Sequence, residues 1–303
     1  MEFNQEFGRV FERLEKIPAL QRKDWELNQS GVDRGLEAVL IQRSPREIAT
    51  YALVQLRLAA MPELRTACRI RATSDGTPQH LLDWAETQKP KPSMLMKVIA
   101  SATDATDDRR VAAVSVLKYY RRRDDENPAV KAPWTSAGLD KIPSMDVGGL
   151  LKHPAPDNRF WRGKYDTVQR LVATVLAMDL PKMSDDDVVN ALQEIQGVGP
   201  QTASMVALFW LERPVPVVDD YLLRLLSHHN LGNASMSSKS GKEELRQKLI
   251  QWARELERER MEWPAHRSLA SLYLWACEIG RSKCICRNGS LPKANCPVLT
   301  LLQ

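Results

Sequence analysis

Residues 192–203 read Leu192-Gln-Glu-Ile-Gln-Gly-Val-Gly-Pro-Gln-Thr-Ala203 and predict two helices joined by a tight turn. Gly197 and Gly199 lie between apolar segments with helical spacing, at about 185–195 and about 201–210. Glycine permits such a turn, and the close approach of a neighbour, because it has no Cβ. The second helix then begins with open backbone N–H groups, which suit one phosphate of a nucleic-acid strand. The alternative is an ordinary helical corner, but the acidic pair Asp219-Asp220 downstream favours a functional hairpin.

The composition is that of a folded protein outside the membrane. The chain has 303 residues, of which 43% are hydrophobic, so it can form one large or two small domains. It contains no run of eighteen apolar residues, and its N-terminus lacks a signal-peptide pattern. Five cysteines without a secretory signal predict a reducing cytoplasm, where a nucleic-acid-binding protein of a bacterium would be associated with the nucleoid. The net charge of +5 permits polyanion binding without requiring it.

Helical periodicity predicts an all-α protein. Apolar residues recur near 3.6 spacing over 3–14, 46–70 and 245–256, and no sustained strand pattern is present. Ser184, followed by three aspartates, predicts a capped helix start. Residues 124–144 and 232–241 have the composition of loops. The Pro90-Lys-Pro92 segment predicts a boundary between an N-terminal helical region, 1–90, and a core domain, 91–303.

Three segments together resemble the helix–hairpin–helix DNA glycosylase superfamily, which includes endonuclease III, adenine glycosylase and 3-methyladenine glycosylase. Residues 192–203 resemble the hairpin of that family. Pro216-Val-Val-Asp-Asp-Tyr-Leu-Leu-Arg-Leu-Leu226 is similar to its loop that ends in an aspartate opening a helix. Leu95-Met-Lys-Val-Ile-Ala-Ser-Ala-Thr-Asp-Ala-Thr-Asp107 resembles the start of its helical barrel. The resemblance covers about 92–296 and implies a core of two helical subdomains with an additional N-terminal helical region.

The resemblance implies a DNA N-glycosylase whose aspartate acts at the sugar. Departure of the base builds positive charge there, and a carboxylate stabilises that charge and orients or deprotonates a water molecule. Asp219 matches the register of endonuclease III, whereas Asp220 matches that of 3-methyladenine glycosylase. We expect Asp219 to be catalytic, with Asp220 as the alternative. Either acid can also cap a helix, which is compatible with catalysis.

Gln201 determines the predicted type of glycosylase. Members of the family that also nick the strand carry a lysine at this position, and its amine attacks the sugar. An amide forms no Schiff base, so we predict a monofunctional enzyme that uses water and leaves an abasic site. The alternatives are a bifunctional glycosylase/lyase with a lysine from elsewhere and a non-catalytic DNA-binding module. The predicted DNA contacts are Gly197, Val198, Gly199, Gln201 and Thr202.

The target base must leave the stack to reach the aspartate. The family fills the resulting gap with a polar side chain from the segment that resembles 101–107 here, where Thr103 or Asp104 takes that place. Asp104 is an unusual wedge and would alternatively accept a hydrogen bond from an exocyclic amine. Tyr221 and Trp161 are candidate stacking surfaces. All four residues also fit core or capping roles.

Two basic segments are candidates for further contact with DNA. Arg109 and Arg110 begin a predicted helix that ends with Lys118 and Arg121–Arg123. Phe160-Trp-Arg-Gly-Lys-Tyr165 mixes cations with aromatic residues, a combination that suits a phosphate backbone beside unstacked bases. A solvated helix face and a packed loop are the alternatives for the two segments.

The C-terminal cysteines are Cys277, Cys284, Cys286 and Cys296. Their C-x6-C-x-C-x9-C spacing matches only the first gap of the C-x6-C-x2-C-x5-C cluster loop of endonuclease III. The spacing favours buried free cysteines over an iron–sulfur cluster or a zinc ion, although both metals remain alternatives. The predicted chemistry needs no cofactor.

The predicted partner is double-stranded DNA that carries a damaged or modified base, bound by a monomer. Alkylated purine, deaminated base, adenine opposite a lesion and hypermodified phage pyrimidine are all compatible with the sequence. The role is accordingly base excision in DNA repair or, alternatively, antiviral defence. A further alternative is a protein whose residues 1–90 recruit a partner, with the glycosylase core as an accessory.

Overall fold

The structure is a computed structural model, and it describes residues 31–42, 44, 46–73, 95, 99, 107–122, 127–146, 158–213, 215, 217, 244 and 247. These residues form helices and connecting turns, without a strand, so the predicted all-α class is confirmed. None of the described helices is both long and apolar enough to cross a bilayer.

The described residues contain the following helices in chain order. They are α1 (Gly31–Leu40), α2 (Arg46–Ala60), α3 (Leu64–Thr73), α4 (Asp108–Arg122), α5 (Pro128–Lys131), α6 (Ser136–Lys141), α7 (Asn158–Ala177), α8 (Asp185–Gln193) and α9 (Pro200–Phe209). Short 3-10 turns at Ile142–Ser144 and Leu180–Lys182 precede α7 and α8.

Local sequence signals set several of the helix ends. Ser184 and Asp187 form a reciprocal capping box at the start of α8, where the Ser184 hydroxyl accepts from the Asp187 N–H and the Asp187 carboxylate accepts from the Ser184 N–H. This hydrogen bonding holds the pKa of Asp187 below its ordinary value. Asn127 and Thr135 cap α5 and α6 through their side chains, which accept from the N–H groups of Ala129 and Gly138. The predicted cap at Ser184 is confirmed.

Proline sets helix boundaries at two places, and one prediction there is wrong. The helical spacing over 46–70 is divided between α2 and α3, which are separated at 61–63 because Pro62 cannot continue α2. Residues 124–144 were expected to form a loop, yet they contain α5, α6 and a 3-10 turn. In α5, Pro128 occupies the first turn, where its missing N–H and fixed φ suit a helix start.

The helices pack in two adjoining groups. Helix α4 packs on α2 and α3, and α9 packs on α1 and α8. Between α1 and α2 lies a buried ion pair in which Arg57 Nη2 is 2.5 Å from Asp33 Oδ2. The second oxygen of Asp33 accepts from Trp134 Nε1 at 2.6 Å, so the carboxylate is well satisfied. Burial lowers the pKa of Arg57, and Asp33 opposes that shift.

Helices α1 and α9 approach each other more closely than side chains would allow. An ideal Cβ at Gly31 would lie 2.1 Å from the Phe209 carbonyl oxygen, and one at Gly35 would lie 3.0 Å from the Trp210 side chain. Glycine at both positions of α1 therefore permits backbone contact with the end of α9. These two glycines, four residues apart, lie on one face of α1.

The chain divides into two compact units. Residues 28–211 form one unit, and residues 1–27 with 212–303 form the other. Helices α1, α2 and α3, from the predicted N-terminal extension, belong to the same unit as α8 and α9. Part of the predicted extension is thus integral to the unit that contains the hairpin.

Candidate functional site

The hairpin consists of α8, a turn over 194–199 and α9, close to the helix limits predicted from the sequence. The Val198 N–H donates to the Ile195 carbonyl at 2.9 Å and closes the turn. Ile195 and Val198 are buried, whereas Gln196, Gly197 and Gly199 are exposed. The turn is therefore anchored by two apolar side chains and leaves both glycines accessible to solvent.

The inner side of the turn requires glycine at 197. Gly197 has φ +94°, a conformation that side-chain-bearing residues rarely adopt. A Cβ at this position would also lie 2.5 Å from the Thr167 hydroxyl of α7. That hydroxyl is within hydrogen-bonding distance of the Gln196 carbonyl, at 3.1 Å, and of the Gly163 carbonyl, at 2.8 Å. Helix α7 thus supports the turn from beneath.

The outer side of the turn is open at the start of α9. Gly199 is the N-cap residue, with extended backbone angles and no side-chain cap, and Pro200 is the first helical residue. A Cβ at Gly199 would meet no atom within 4 Å. Gln201 is exposed beside it. No side chain caps the first N–H groups of α9, and the positive end of the helix dipole adds to their attraction for anions.

Gln42, just after α1, joins the N-terminal part of the unit to the hairpin. Its Nε2 donates to the Thr202 hydroxyl at 3.0 Å and approaches the Gly197 carbonyl at 3.3 Å. One amide therefore links the turn to the first turn of α9. Thr202 itself is buried, so the predicted contact with DNA can involve its backbone N–H but not its side chain. Val198 is buried as well, and its N–H already donates to the Ile195 carbonyl.

A cleft of about 440 Å³ adjoins the hairpin turn. Its walls include Gln42, Gly163, Asp166, Arg170 and the turn residues 196–197. Arg170 is exposed, and its Nη2 is 3.3 Å from the Gln196 carbonyl oxygen. The cleft thus has a cation at the turn and a carboxylate, Asp166, one helical turn away on α7.

The segment Phe160–Tyr165 belongs to α7 and faces largely inward, contrary to the prediction of a DNA-facing segment. Trp161 is only 4% exposed, and Lys164 Nζ lies 4.4 Å from its ring centroid. Lys164 donates to the Leu40 carbonyl and to the Ser44 hydroxyl, and burial lowers its pKa to about 8. The burial of Trp161 does not fit the predicted stacking role. Arg162 and Gly163 are the exposed members of the segment.

The basic helix predicted from Arg109 is α4, but two of its cations have intramolecular partners. Arg109 Nη2 pairs with Asp107 Oδ2 at 2.5 Å, and this hydrogen bond raises the pKa of Arg109. Lys118 is buried and donates to the Arg71 carbonyl at 2.5 Å. Lys118 therefore stabilises the interior, and Arg109 is held by Asp107, so neither fits the predicted phosphate-binding face. The side chains of 121–123 lie outside the described residues.

Several predicted site residues also fall outside the described part of the chain. They are Thr103, Asp104, Asp219, Asp220, Tyr221 and the four C-terminal cysteines Cys277, Cys284, Cys286 and Cys296. Val215 and Val217, shortly before the aspartate pair, are described, and both are buried. Within the described residues no group of three or more metal-ligating side chains comes together. Cys68 is a buried free thiol whose pKa burial raises to about 11.

Sequence reasoning missed Gln42, Thr167 and Arg170 as residues of the hairpin site. All three lie far from the hairpin in sequence, and polar side chains at these positions have no local signature. The spacing of Gly31 and Gly35 within a helical pattern was a usable signal, because paired small residues on one helix face permit a close helix approach.

Comparison with known proteins finds a similarity over part of the chain. No protein-family model matches the chain. A stretch of 113 residues is 30% identical to the protein named "Putative DNA-3-methyladenine glycosylase YfjP" of Bacillus subtilis (strain 168). The similarity covers 36% of this chain and 34% of the relative, so the chain spans about a third of the length of the relative that it matches.

Proposed function

We propose that this protein is a DNA glycosylase that grips duplex DNA through the α8–α9 hairpin. The observation that carries the proposal is the open start of α9. Gly199 leaves the first N–H groups uncovered, and the exposed turn lets a strand approach them. The partial similarity to a protein named as a DNA glycosylase supports the same activity. The resemblance of 95–107 and 216–226 to segments of that superfamily is consistent with it.

The proposed reaction is hydrolysis of the N-glycosidic bond of a flipped nucleotide. The bond from the sugar to the base breaks, and the base leaves with the electron pair and takes up a proton. Water then forms the new bond at the same carbon, and the Asp219 carboxylate stabilises the sugar cation and accepts a proton from the water. The products are a free base and an abasic site, and the reaction draws on no cofactor.

Gln201 makes this a monofunctional reaction in our proposal. The residue is exposed in the first turn of α9, where bifunctional members of the superfamily carry their lysine. A carboxamide does not condense with an aldehydic sugar, so water is the nucleophile. The strand should remain intact after base release.

The first substrate class to test is alkylated purine, because the name of the relative specifies 3-methyladenine. Methylated duplex DNA would be incubated with the protein, and released bases would be identified by mass spectrometry. Duplexes with deaminated bases, with adenine opposite a lesion and with hypermodified phage pyrimidines form the remaining panel. Tight binding to duplex DNA with no base released from any substrate would favour the non-catalytic DNA-binding module instead.

The catalytic assignment is tested by Asp219→Asn, which keeps the shape of the side chain and removes its charge. Base release should fall by at least about a hundredfold, because an electrostatic group of this type contributes several kcal/mol. Binding to the substrate duplex should persist. Asp220→Asn is the matched control, and loss of activity in that variant alone would transfer the role to the second acid.

The same assay tests the monofunctional mechanism through its product. The strand should break only after alkali or heat, and borohydride should trap no protein–DNA adduct. Gln201→Lys supplies the missing amine and should make the protein trappable. Efficient trapping of the unmodified protein would contradict the mechanism and indicate a lysine outside the hairpin.

A further inference from the structure

The cleft beside the hairpin turn continues the surface on which a strand would lie. It is bordered by α7, by Gln42 after α1 and by the turn residues 196–197. Gly163 contributes no side chain to one wall of the cleft, and the space where its Cβ would lie has no atom within 4 Å. Both the cleft and the start of α9 flank the same turn, so a chain-like ligand could occupy both.

Arg170 gives the cleft its capacity to bind an anion. The guanidinium is exposed, and its hydrogen bonds within the described residues, to the Gln196 carbonyl and the Thr167 hydroxyl, use Nη2. A guanidinium carries five N–H donors, so Nη1 and Nε retain donors for a ligand. The bond to the turn holds the group beside the hairpin. A phosphate is the anion that suits such a fork.

We propose that the cleft holds a second sugar–phosphate unit of the strand gripped by α9, with Arg170 paired to its phosphate. The inference rests on the proposed function and adds a binding residue from α7, outside the hairpin. The volume of about 440 Å³ is ample for a sugar–phosphate unit. Arg162, exposed eight residues before Arg170 on α7, lies on the same side of the helix and extends the cationic edge.

Asp166 supplies a test of the sign of the ligand charge. Its carboxylate lines the same cleft, one helical turn from Arg170. Such a carboxylate repels a phosphate and attracts a cation, with a strength that depends on salt. Asp166→Asn should therefore tighten binding of an anion and weaken binding of a metal ion or an amine. Substitutions at Asp166 and Arg170 should have opposite effects on one ligand.

The experiment measures fluorescence anisotropy of a labelled duplex against the full chain at several salt concentrations. Arg170→Gln should weaken binding about fivefold and make the slope of log K against log salt less negative by about 0.9, the value for one lost phosphate contact. Asp166→Asn should tighten binding by about twofold. Lys141→Gln, an exposed cation on α6, is the charge-matched control and should change affinity less than about twofold, with no change of slope.

Arg170→Lys covers the case in which Arg170→Gln disturbs folding, which circular dichroism would reveal. Lysine keeps the charge and should keep the salt slope. An unchanged slope in a folded Arg170→Gln variant, or weaker binding in Asp166→Asn, would overturn the cleft proposal while leaving base excision intact. If the unmodified chain binds no duplex DNA, the proposed function itself fails and the cleft proposal fails with it.

Discussion

The inner and outer sides of the hairpin turn each contain a glycine, but the two glycines have different surroundings. On the inner side, Gly197 combines a positive φ with a Cβ position that overlaps the Thr167 hydroxyl. On the outer side, Gly199 has ordinary extended angles and empty space where a Cβ would be. The fold requires the first glycine, and nothing within the described residues requires the second. The missing side chain at Gly199 instead leaves space for a ligand that approaches the turn from the solvent side.

Placing valine at each glycine in turn tests this difference and should give the largest effect. Gly197→Val should lower the free energy of unfolding by about 3 kcal/mol, because a β-branched residue is strained at positive φ and its side chain overlaps α7. Gly199→Val should lower it by about 1 kcal/mol or less, through the weaker N-cap. Urea unfolding followed by circular dichroism measures both.

The two variants should separate again in DNA binding. Gly199→Val should remain folded yet bind damaged and undamaged duplex about tenfold more weakly, because its side chain occupies the space before the α9 N–H groups. Equal stability losses at the two glycines would refute the distinction between the sides. A loss confined to damaged DNA in Gly199→Val would contradict a backbone-gripping role.

Lys164 and Lys182 give a second comparison, between a buried and an exposed lysine. Lys164 is buried against Trp161, and burial lowers its pKa to about 8, whereas Lys182 is exposed and pairs with Asp179 at 2.6 Å. Between pH 8 and the unfolded pKa near 10.5, the unfolded chain binds more protons than the folded chain. The contribution of Lys164 to stability should therefore rise with pH across this window, by at most about 3 kcal/mol in total.

The measurement compares urea unfolding of the unmodified protein and Lys164→Met from pH 7 to pH 10.5. The difference in unfolding free energy should move in favour of the unmodified protein as pH rises above 8. Lys182→Met is the control and should show no such change, because its ammonium is solvated. Parallel pH profiles for the unmodified protein and Lys164→Met would mean that the buried amine titrates normally.

The smallest expected effect concerns the link between Gln42 and Thr202. Their 3.0 Å hydrogen bond joins the turn after α1 to the first turn of α9. A double-mutant cycle with Gln42→Ala and Thr202→Val should give a coupling energy of about 0.5–1 kcal/mol. The pair Gln42→Ala and Thr174→Val provides the uncoupled reference. Strict additivity in the first cycle would show that the bond contributes nothing to stability.

The hairpin was predictable because its signals are local. Ser184 with its acids marks a helix start, Gly197 and Gly199 mark a turn, and the apolar spacing marks the helices on either side. Each of these features acts within a few residues, so the sequence alone places the helix limits closely. The helical class of the described residues follows from the same periodicity.

The direction of charged side chains was not predictable to the same extent. Lys164 and Lys118 look like surface cations in the sequence, yet carbonyl groups from distant helices accept their hydrogen bonds in the interior. Arg170 looks no different and is exposed at the hairpin. Which face of a helix is covered depends on partners far away in the chain, and a local pattern contains no information about them.

The contact between α1 and α9 determines how the activity of a truncated chain should be interpreted. Gly31 brings the α1 backbone against the Phe209 carbonyl, and Gln42 reaches the hairpin from the end of the same helix. A shortened chain that starts at residue 91 would remove α1, α2 and α3 together and uncover the apolar faces of α4 and α9. Loss of activity in such a chain would therefore report loss of support for the hairpin, and would say nothing of a recruited partner.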